Sequence, residues 1–318
     1  MRELFTFGRY LRAKYGQTIY KIPVSIPGFT CPNIDGTVAV GGCSFCENES
    51  FSPNLTVKPK TKFSLKPNSP ENPMLDFQLL SLESQFYKTS TKLRKKFKAN
   101  GFLVYFQSFS NTYAPYETLI TLYEKALSLP DVVGISIGTR SDCIDERVLE
   151  FLVEKSKQKE IWIEIGVQSI FDETLKRINR GHDFSNIEEA VKRVKNRGLN
   201  LCLHLIFGLP DENIEMMRET FGRSIELGAD SVKFHPLYVV KNTALANELR
   251  TGKFYPIDEE GYISLICECI ERLPENVSVQ RVTAGIDDDT LLSPEWCRHK
   301  NVQMEKIKTR LKENGIFC

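Results

Sequence analysis

The sequence lacks a long hydrophobic run, a strong excess of one charge and a repeat of fixed period. Its 318 residues carry 42 Lys and Arg against 41 Asp and Glu, a formal net charge of +1. This balance argues against a globally basic nucleic-acid binder but leaves room for a local basic face. No apolar stretch approaches the length of a membrane span, and residues 1–17 mix charged with apolar side chains. We therefore expect no membrane association and no secretory signal.

Histidine and tryptophan are scarce, with four and two residues, whereas cysteine is abundant, with nine. An odd number of cysteines without an export signal is a poor match to a disulfide framework. A reducing, cytoplasmic location is expected instead. In that setting, clustered cysteines indicate metal or redox chemistry.

Short apolar runs alternate with longer amphipathic ones along the chain. Strands are predicted at residues 22–29, 102–107, 132–137, 161–166, 201–207 and 231–236, and helices at 76–98, 116–128, 146–157, 186–196 and 214–227. This alternation predicts βα units around a parallel sheet. The fold class expected is α/β, a partial (β/α)6 TIM-type barrel with a C-terminal helical extension; a flat doubly wound sheet is the alternative.

Two regions interrupt the βα rhythm. Residues 52–73 contain five prolines and are predicted to be an irregular excursion. The tail from residue 241 onward contains two or three predicted helices and one short strand candidate at 277–282. The expected division is therefore a barrel core at 1–240, which includes the cysteine loop, and an extension at 241–318 packed on the barrel.

Three cysteines, Cys31, Cys43 and Cys46, follow the first predicted strand in a glycine-rich loop. Three thiolates can hold three irons of a cubane cluster and leave the fourth iron open to a ligand. A structural zinc site would need a fourth ligand close in sequence, and none is there. A dithiol redox pair at Cys43 and Cys46 would leave Cys31 unexplained. Chance clustering of buried thiols is the remaining alternative.

The cysteine loop, with Phe45 before its third cysteine, resembles that of radical S-adenosylmethionine (radical SAM) enzymes. Eleven residues separate Cys31 from Cys43, and this spacing is similar to that in the branch that contains the Elongator catalytic subunit. The strings TCPNIDGT, GGCSFC, WIEIGVQS, LKRINRGHDF and HLIFGLP resemble the YhcC-like (YtqA-like) subgroup over nearly the whole chain. The resemblance implies a [4Fe-4S] cluster on the three cysteines and S-adenosylmethionine (SAM) on the open iron. It also implies reductive cleavage of SAM to a 5′-deoxyadenosyl radical that abstracts hydrogen.

The same resemblance assigns cofactor-binding residues at strand ends. Gln168 and Arg180 have the spacing of the residues that hold the methionyl carboxylate and ribose, although Arg180 would also suit a helix-end cation. Gly208 lies in a turn similar to the adenine-binding one. The other cofactor-binding candidates are Gln107, Asn111, Arg140 and Glu164.

Lys233 and His235 close the sixth predicted strand and are the candidate catalytic residues at the cavity mouth. A satisfied structural imidazole is the alternative for His235. His204, in mid-strand, is expected to be structural.

Basic runs at 88–98, 192–197 and 298–312 can bind phosphates, although solvated helix faces are the commoner explanation. The resemblance favours tRNA, with a wobble-uridine side chain converted from the carboxymethylaminomethyl towards the aminomethyl form. It also implies an electron donor such as flavodoxin or ferredoxin. The alternatives are a radical enzyme acting on a small molecule or protein, and a non-catalytic iron–sulfur sensor.

Overall fold

The computed structural model describes residues 2–47 and 63–317. In chain order its elements are β1 (Arg2–Glu3), α1 (Phe7–Tyr15), β2 (Tyr20–Val24), α2 (Leu75–Phe97), β3 (Phe102–Phe106), α3 (Tyr116–Ser128), β4 (Val132–Thr139), α4 (Glu146–Ser156), β5 (Glu160–Gln168), α5 (Asp172–Arg177), α6 (Phe184–Lys195), β6 (Asn200–Phe207), α7 (Ile214–Glu226), β7 (Ser231–Pro236), β8 (Val239–Val240), α8 (Ala244–Arg250), α9 (Glu259–Glu271), β9 (Ser278–Arg281), β10 (Leu291–Ser293), α10 (Lys300–Glu313) and β11 (Ile316–Phe317). Short 3₁₀ turns occupy Ser141–Cys143 and Glu295–Arg298.

Seven parallel strands form one curled sheet in the order β2-β3-β4-β5-β6-β7-β9. All five residues of β3 are buried, as expected of a parallel strand covered on both faces. The predicted α/β partial barrel is therefore confirmed, with one strand more than the six expected. The added strand, β9, pairs with β7 in the register Ser231 to Ser278.

The five helices predicted with bounds start within two residues of those positions because local signals define them. The side chains of Asp145, Asp183 and Asn213 accept hydrogen bonds from the first turns of α4, α6 and α7. Such caps satisfy amide groups that have no partner inside the helix.

The first strand differs from its prediction, because it ends at Val24 rather than at residue 29. The backbone amide of Ser25 donates to Gln85 Oε1 at 2.9 Å, and Gln85 Nε2 donates to the Ser25 carbonyl at 2.8 Å. A side-chain amide from α2 thus takes both backbone groups that would have continued the ladder. The chain then turns at Gly28, whose φ is +81°.

The two edge strands, β2 and β9, leave an opening in the barrel wall. The N-terminal segment and α10 cover this opening. A cavity of about 540 Å³ lies between them and the strands. The amide of Val279 donates to the Phe5 carbonyl at 2.9 Å, so the N-terminal segment is tied to the last strand.

Residues 52–62 of the predicted excursion lie outside the described residues, and residues 63–73 contain no helix or strand. The division of the chain at residue 240 stays a prediction. In the described ranges, none of the helices is long and apolar enough to span a bilayer.

Candidate active site

The three clustered cysteines lie in the loop that follows β2. Backbone hydrogen bonds shape it, among them those from the amides of Ile34 to the Cys31 carbonyl at 2.8 Å and of Cys46 to the Cys43 carbonyl at 2.9 Å. All three thiols are free, and their sulfur atoms do not all lie within 4.8 Å of one another. Sulfur ligands of a single tetrahedral zinc would be about 3.8 Å apart, given Zn–S bonds of about 2.3 Å.

A side chain within the loop fastens it to the segment that follows α5. Asn33 Nδ2 donates to the carbonyls of Asn179 at 2.5 Å and Arg180 at 2.9 Å, and lies 3.6 Å from Cys43 Sγ. The contact requires glycine at 181, because a Cβ there would come within 2.5 Å of Asn33 Oδ1 and φ is +79°. The cysteine loop and the Arg180 segment are therefore held as one unit.

The thiols repel one another when ionised. Burial raises the pKa of Cys46, and the neighbouring Cys43 and Cys31 raise it further, while Arg180 acts in the opposite direction. Arg180 Nη1 donates to Cys43 Sγ at 3.7 Å. Three adjacent thiolates, of which Cys43 is buried and the other two are half-buried, call for a positive centre between them, which is the chemistry of a metal-binding donor set.

A cavity of about 520 Å³ opens at the carboxyl ends of the strands. Six of the predicted site residues line it: Gln107, Arg140, Glu164, Gln168, Arg180 and His235. Barrels commonly carry their chemistry at this end of the sheet. Tyr238, Arg281 and Lys300 also line the cavity and were not predicted, since they belong to the chain beyond the sixth strand.

Gln168 and Arg180 meet at the end of β5. The pairing of β5 with β6 is irregular between Gly166 and Gln168, and Gln168 has a φ of +69°. Arg180 Nη2 donates to the Gly166 carbonyl at 2.8 Å, and a Cβ at Gly166 would lie 2.6 Å from Gln168 Nε2. The bulge thus turns Gln168 towards Arg180 across a glycine.

Buried polar atoms without a partner point to a ligand in this cavity. Gln168 Oε1, Arg180 Nε and Arg140 Nη1 are buried and make no hydrogen bond. The rest of the Arg140 guanidinium is held by Asp142, through Nε at 2.8 Å, and by the Arg180 carbonyl at 2.8 Å. Because leaving such atoms unmet costs about 1–3 kcal/mol each, they are best explained by a polar molecule bound there.

Two predicted cofactor residues do not line the cavity. Asn111 is fully buried, and its Nδ2 donates to the Gly138 carbonyl at 2.8 Å. Gly208 has a φ of +91° and packs on Ile257, whose Cγ2 would lie 2.8 Å from an added Cβ. In the structure both positions hold turns together, and their roles in binding a cofactor stay predictions.

Glu164 is fully buried at the floor of the cavity, at the centre of an ionic cluster. It accepts hydrogen bonds from Lys21, Lys233 and Ser136, and lies 2.7 Å from His204 Nε2. Burial acts against the charged carboxylate, but the two lysines and the histidine hold its pKa well below the usual range. Two lysine side chains contact this carboxylate and balance its charge.

The two predicted catalytic residues lie on different sides of this cluster. Lys233 borders the 540 Å³ lateral cavity, where its Nζ is 4.3 Å from the centre of the Tyr105 ring, and burial lowers its pKa to about 7. His235 borders the cavity at the strand ends, with Nδ1 2.8 Å from the Pro236 carbonyl. The role of Lys21 was not predicted, although a lysine in an otherwise apolar strand was a signal for it.

The histidines predict how stability depends on pH. Burial lowers the pKa of His182 and His204 to about 4 and that of His235 to about 3. Above about pH 6.5 these imidazoles are neutral in both states, whereas below it the unfolded chain binds protons that the folded chain does not. The free energy of unfolding should therefore fall between pH 7 and pH 5, by about 1–2 kcal/mol for each imidazole.

Urea denaturation at several pH values in this range measures that fall. His204→Gln should make the free energy of unfolding depend less steeply on pH, because an imidazole with a lowered pKa is removed. His299→Gln is the matched control, since His299 is exposed, and it should leave the profile of the parent unchanged. A parent profile that is flat between pH 7 and pH 5 would contradict the assignment.

Comparisons with known proteins agree with this arrangement. A model of the radical SAM superfamily matches residues 36–223, and one of the Radical_SAM C-terminal domain matches residues 229–313. Protein YhcC of Escherichia coli (strain K12) is 34% identical over 311 residues, which cover 98% of this chain and 93% of YhcC.

Relatives that act on tRNA match a smaller part of the chain. The tRNA uridine(34) acetyltransferase of Methanocaldococcus infernus is 31% identical over 189 residues, which cover 58% of this chain and 34% of that protein. The solved structure of M. infernus Elp3 with an N-terminal deletion shares the fold, with a TM-score of 0.59 at 19% identity over 95% of this chain and 65% of that one. The chain therefore belongs to the radical SAM superfamily of enzymes, in the branch that holds YhcC and Elp3.

Proposed function

We propose that the chain is a radical SAM enzyme that modifies the wobble-uridine side chain of tRNA. The step proposed is conversion of a carboxymethylaminomethyl towards an aminomethyl group, with an electron supplied by a donor such as flavodoxin or ferredoxin. The observation that carries the radical chemistry is the pair of buried atoms Gln168 Oε1 and Arg180 Nε, which make no hydrogen bond and belong to side chains beside Cys43. The tRNA substrate is supported by the activity named for the wobble-uridine acetyltransferase relative.

The donor set fits a [4Fe-4S] cluster on Cys31, Cys43 and Cys46. Their sulfur atoms are spread more widely than the ligands of one zinc ion, as suits ligands to separate irons. When bound, the cluster and SAM supply the one-electron cleavage that begins hydrogen abstraction. The hydrogen bonds that Arg180 and Asn33 direct at Cys43 Sγ would tune the potential of such a cluster.

The chain's own residues would orient SAM and limit the access of water to it. The guanidinium of Arg180 offers a planar donor surface to the methionyl carboxylate, and the amide of Gln168 offers a donor and an acceptor. Arg140, with one free Nη1, supplies a further donor on the same side. Enclosure of these groups in a cavity limits water at the reacting centre.

The location of the basic runs narrows the surface where tRNA would bind. Runs 88–98 and 192–197 fall at the ends of α2 and α6, which lead into the amino ends of β3 and β6, away from the cavity. Arg193 and Arg197 also pair with Glu146. Only the run at 298–312 reaches the cavity, through Lys300. We therefore place the substrate against the C-terminal part of the chain.

Arg180→Lys tests the proposed SAM site. The variant keeps the positive charge but loses the planar guanidinium, so affinity for SAM should fall about tenfold. Titration calorimetry on anaerobically reconstituted protein measures the dissociation constant. Arg177→Lys is the matched control, because Arg177 pairs with Glu248 outside the cavity. Equal SAM affinity in the Arg180 variant and the parent would remove Arg180 from the site.

Two experiments test the function itself. Anaerobic reduction of the reconstituted protein with SAM should release 5′-deoxyadenosine. If a fully loaded cluster releases none, the chain is not a radical enzyme, and a non-catalytic iron–sulfur sensor is the remaining function. Nucleoside mass spectrometry of tRNA from a deletion strain should show accumulation of the carboxymethylaminomethyl form. Unchanged wobble uridines together with 5′-deoxyadenosine release would indicate a small-molecule or protein substrate.

A further inference from the structure

The cavity at the strand ends has a second wall, built by the C-terminal part of the chain. Arg281, at the end of β9, and Lys300, at the start of α10, line it together with the loop at Ala284–Ile286. This wall lies apart from the Gln168 and Arg180 edge in sequence and comes from different elements. It owes its position to the seventh strand, which adds Arg281 to the barrel mouth.

The two cations on this wall have no acidic partner. Among the described residues, no carboxylate oxygen lies within 4.0 Å of either side chain, and neither makes a side-chain hydrogen bond. Most of the other arginines in the described ranges pair with a carboxylate, as Arg140 does with Asp142 and Arg218 with Glu268. Two unpaired cations that line one cavity repel each other, and an anion bound between them would relieve that repulsion.

The surroundings show that the charges influence each other. Lys300 is exposed at the edge of the cavity, and its pKa is lowered by partial loss of hydration first and by the charge of Arg281 second. The same guanidinium lowers the pKa of His235, again after burial. Asp287 and Asp288 lie at the exposed rim, where Asp288 accepts hydrogen bonds from the backbone amide and hydroxyl of Thr290. Neither aspartate reaches the two cations.

The backbone brings Arg281 and Lys300 together by a close approach. A Cβ at Gly285 would come within 2.1 Å of the Cys297 carbonyl and 3.4 Å of Lys300 Cβ, so the loop after β9 packs directly on the segment before α10. The 14-residue helix α10 begins at Lys300 without a side-chain cap. Its positive end adds to the potential of the two cations.

We propose that Arg281 and Lys300 bind an anionic group of the substrate on this wall, while Gln168 and Arg180 bind SAM. The anion is either a backbone phosphate near the target nucleotide or the carboxylate of its modified side chain. The inference rests on the proposed function for the identity of the substrate as tRNA. The anion site itself is inferred from two cations, Arg281 and Lys300, that line one cavity and have no acidic partner in the described part of the chain.

Inorganic phosphate tests the anion site without reference to RNA. On the reconstituted holoenzyme, phosphate should raise the melting temperature of the parent more than that of the double variant Arg281→Gln, Lys300→Gln. Without phosphate the double variant should be at least as stable as the parent, because a repulsion has been removed. Lys306→Gln, an exposed lysine paired with Glu259, is the matched control. Identical phosphate-dependent shifts in parent and double variant would overturn the site.

Anticodon stem-loop RNAs then distinguish the two sources of the anion. Fluorescence anisotropy compares RNAs with uridine, carboxymethylaminomethyluridine or aminomethyluridine at the wobble position. If a phosphate is bound, the double variant should weaken all three by about tenfold and flatten the salt dependence. If the carboxylate is bound, only the carboxymethylaminomethyl RNA should be affected.

The RNA experiment also separates the two proposals. Equal affinity of parent and double variant for every RNA that the parent binds would overturn the substrate role of the pair. Failure of the parent to bind any of the RNAs would count against tRNA as the substrate, and the phosphate experiment would still decide the anion site. In all variants the dissociation constant for SAM should equal that of the parent.

Discussion

Cys43→Ala should abolish the release of 5′-deoxyadenosine from SAM, with a loss of more than about a hundredfold, since removing even an outer partner of a metal ligand costs up to that much. Cys43 is the most constrained of the three thiols, because Asn33 and Arg180 both direct N–H groups at its sulfur. Without it, one iron would lose its protein ligand. Iron content and the visible absorption of the reconstituted protein should fall together with activity.

Cys269→Ala is the matched control for this prediction. Cys269 is a buried thiol of α9, away from the cysteine loop, and serves as a small apolar side chain. Its replacement should leave iron content and SAM cleavage at the level of the parent. Should Cys43→Ala retain both, while remaining folded by circular dichroism, the assignment of the cluster ligands would be wrong.

Glu164→Ala should lower the free energy of unfolding by about 3–5 kcal/mol, the cost of breaking a buried ion pair from one side. The change leaves the ammonium groups of Lys21 and Lys233 next to each other below the cavity, without the carboxylate that both now contact. Urea denaturation with a fixed cluster content measures the loss. Glu305→Ala removes an exposed carboxylate paired with Lys308 and should change stability by less than about 0.5 kcal/mol.

A double variant shows whether the loss comes from uncompensated charge. Glu164→Ala combined with Lys233→Met removes one of the stranded ammonium groups together with the carboxylate. We expect the pair to be more stable than the sum of the two single changes predicts, since contacting charges do not add independently. Additive losses would assign the effect to packing and would refute the ionic account.

Prediction from sequence was most successful where the signal is local. The cysteine loop was found because Cys31, Cys43 and Cys46 lie within sixteen residues, and the strands because each is a continuous apolar run. The sequence predicts a strand at residues 277–282 but assigns it to an extension and not to the barrel sheet. Its place depends on pairing with β7 across 47 residues, between Ser231 and Ser278. Local periodicity contains no information about that partner.

Resemblance selected residues but could not give their contacts. It named Gln168 and Arg180, and the structure brings them together at a bulge in β5. It also named Gln107, Asn111, Arg140, Glu164 and Gly208, and position at a strand end named Lys233 and His235. The structure distributes these residues among the cavity, the ionic cluster and buried turns. A family motif fixes residue type and spacing, whereas the direction of a side chain depends on backbone geometry at that residue.

Residue types at short separations were enough to specify the α/β alternation, the cysteine loop and the family. Which charges meet depends on the packing of the folded chain. Glu164 contacts Lys21, 143 residues earlier, because strand register directs both side chains into the barrel. Arg281 and Lys300 face one cavity because a glycine lets two segments pack closely. Contacts of this kind are set by the packing of distant segments, and the energy of a buried charge depends on them.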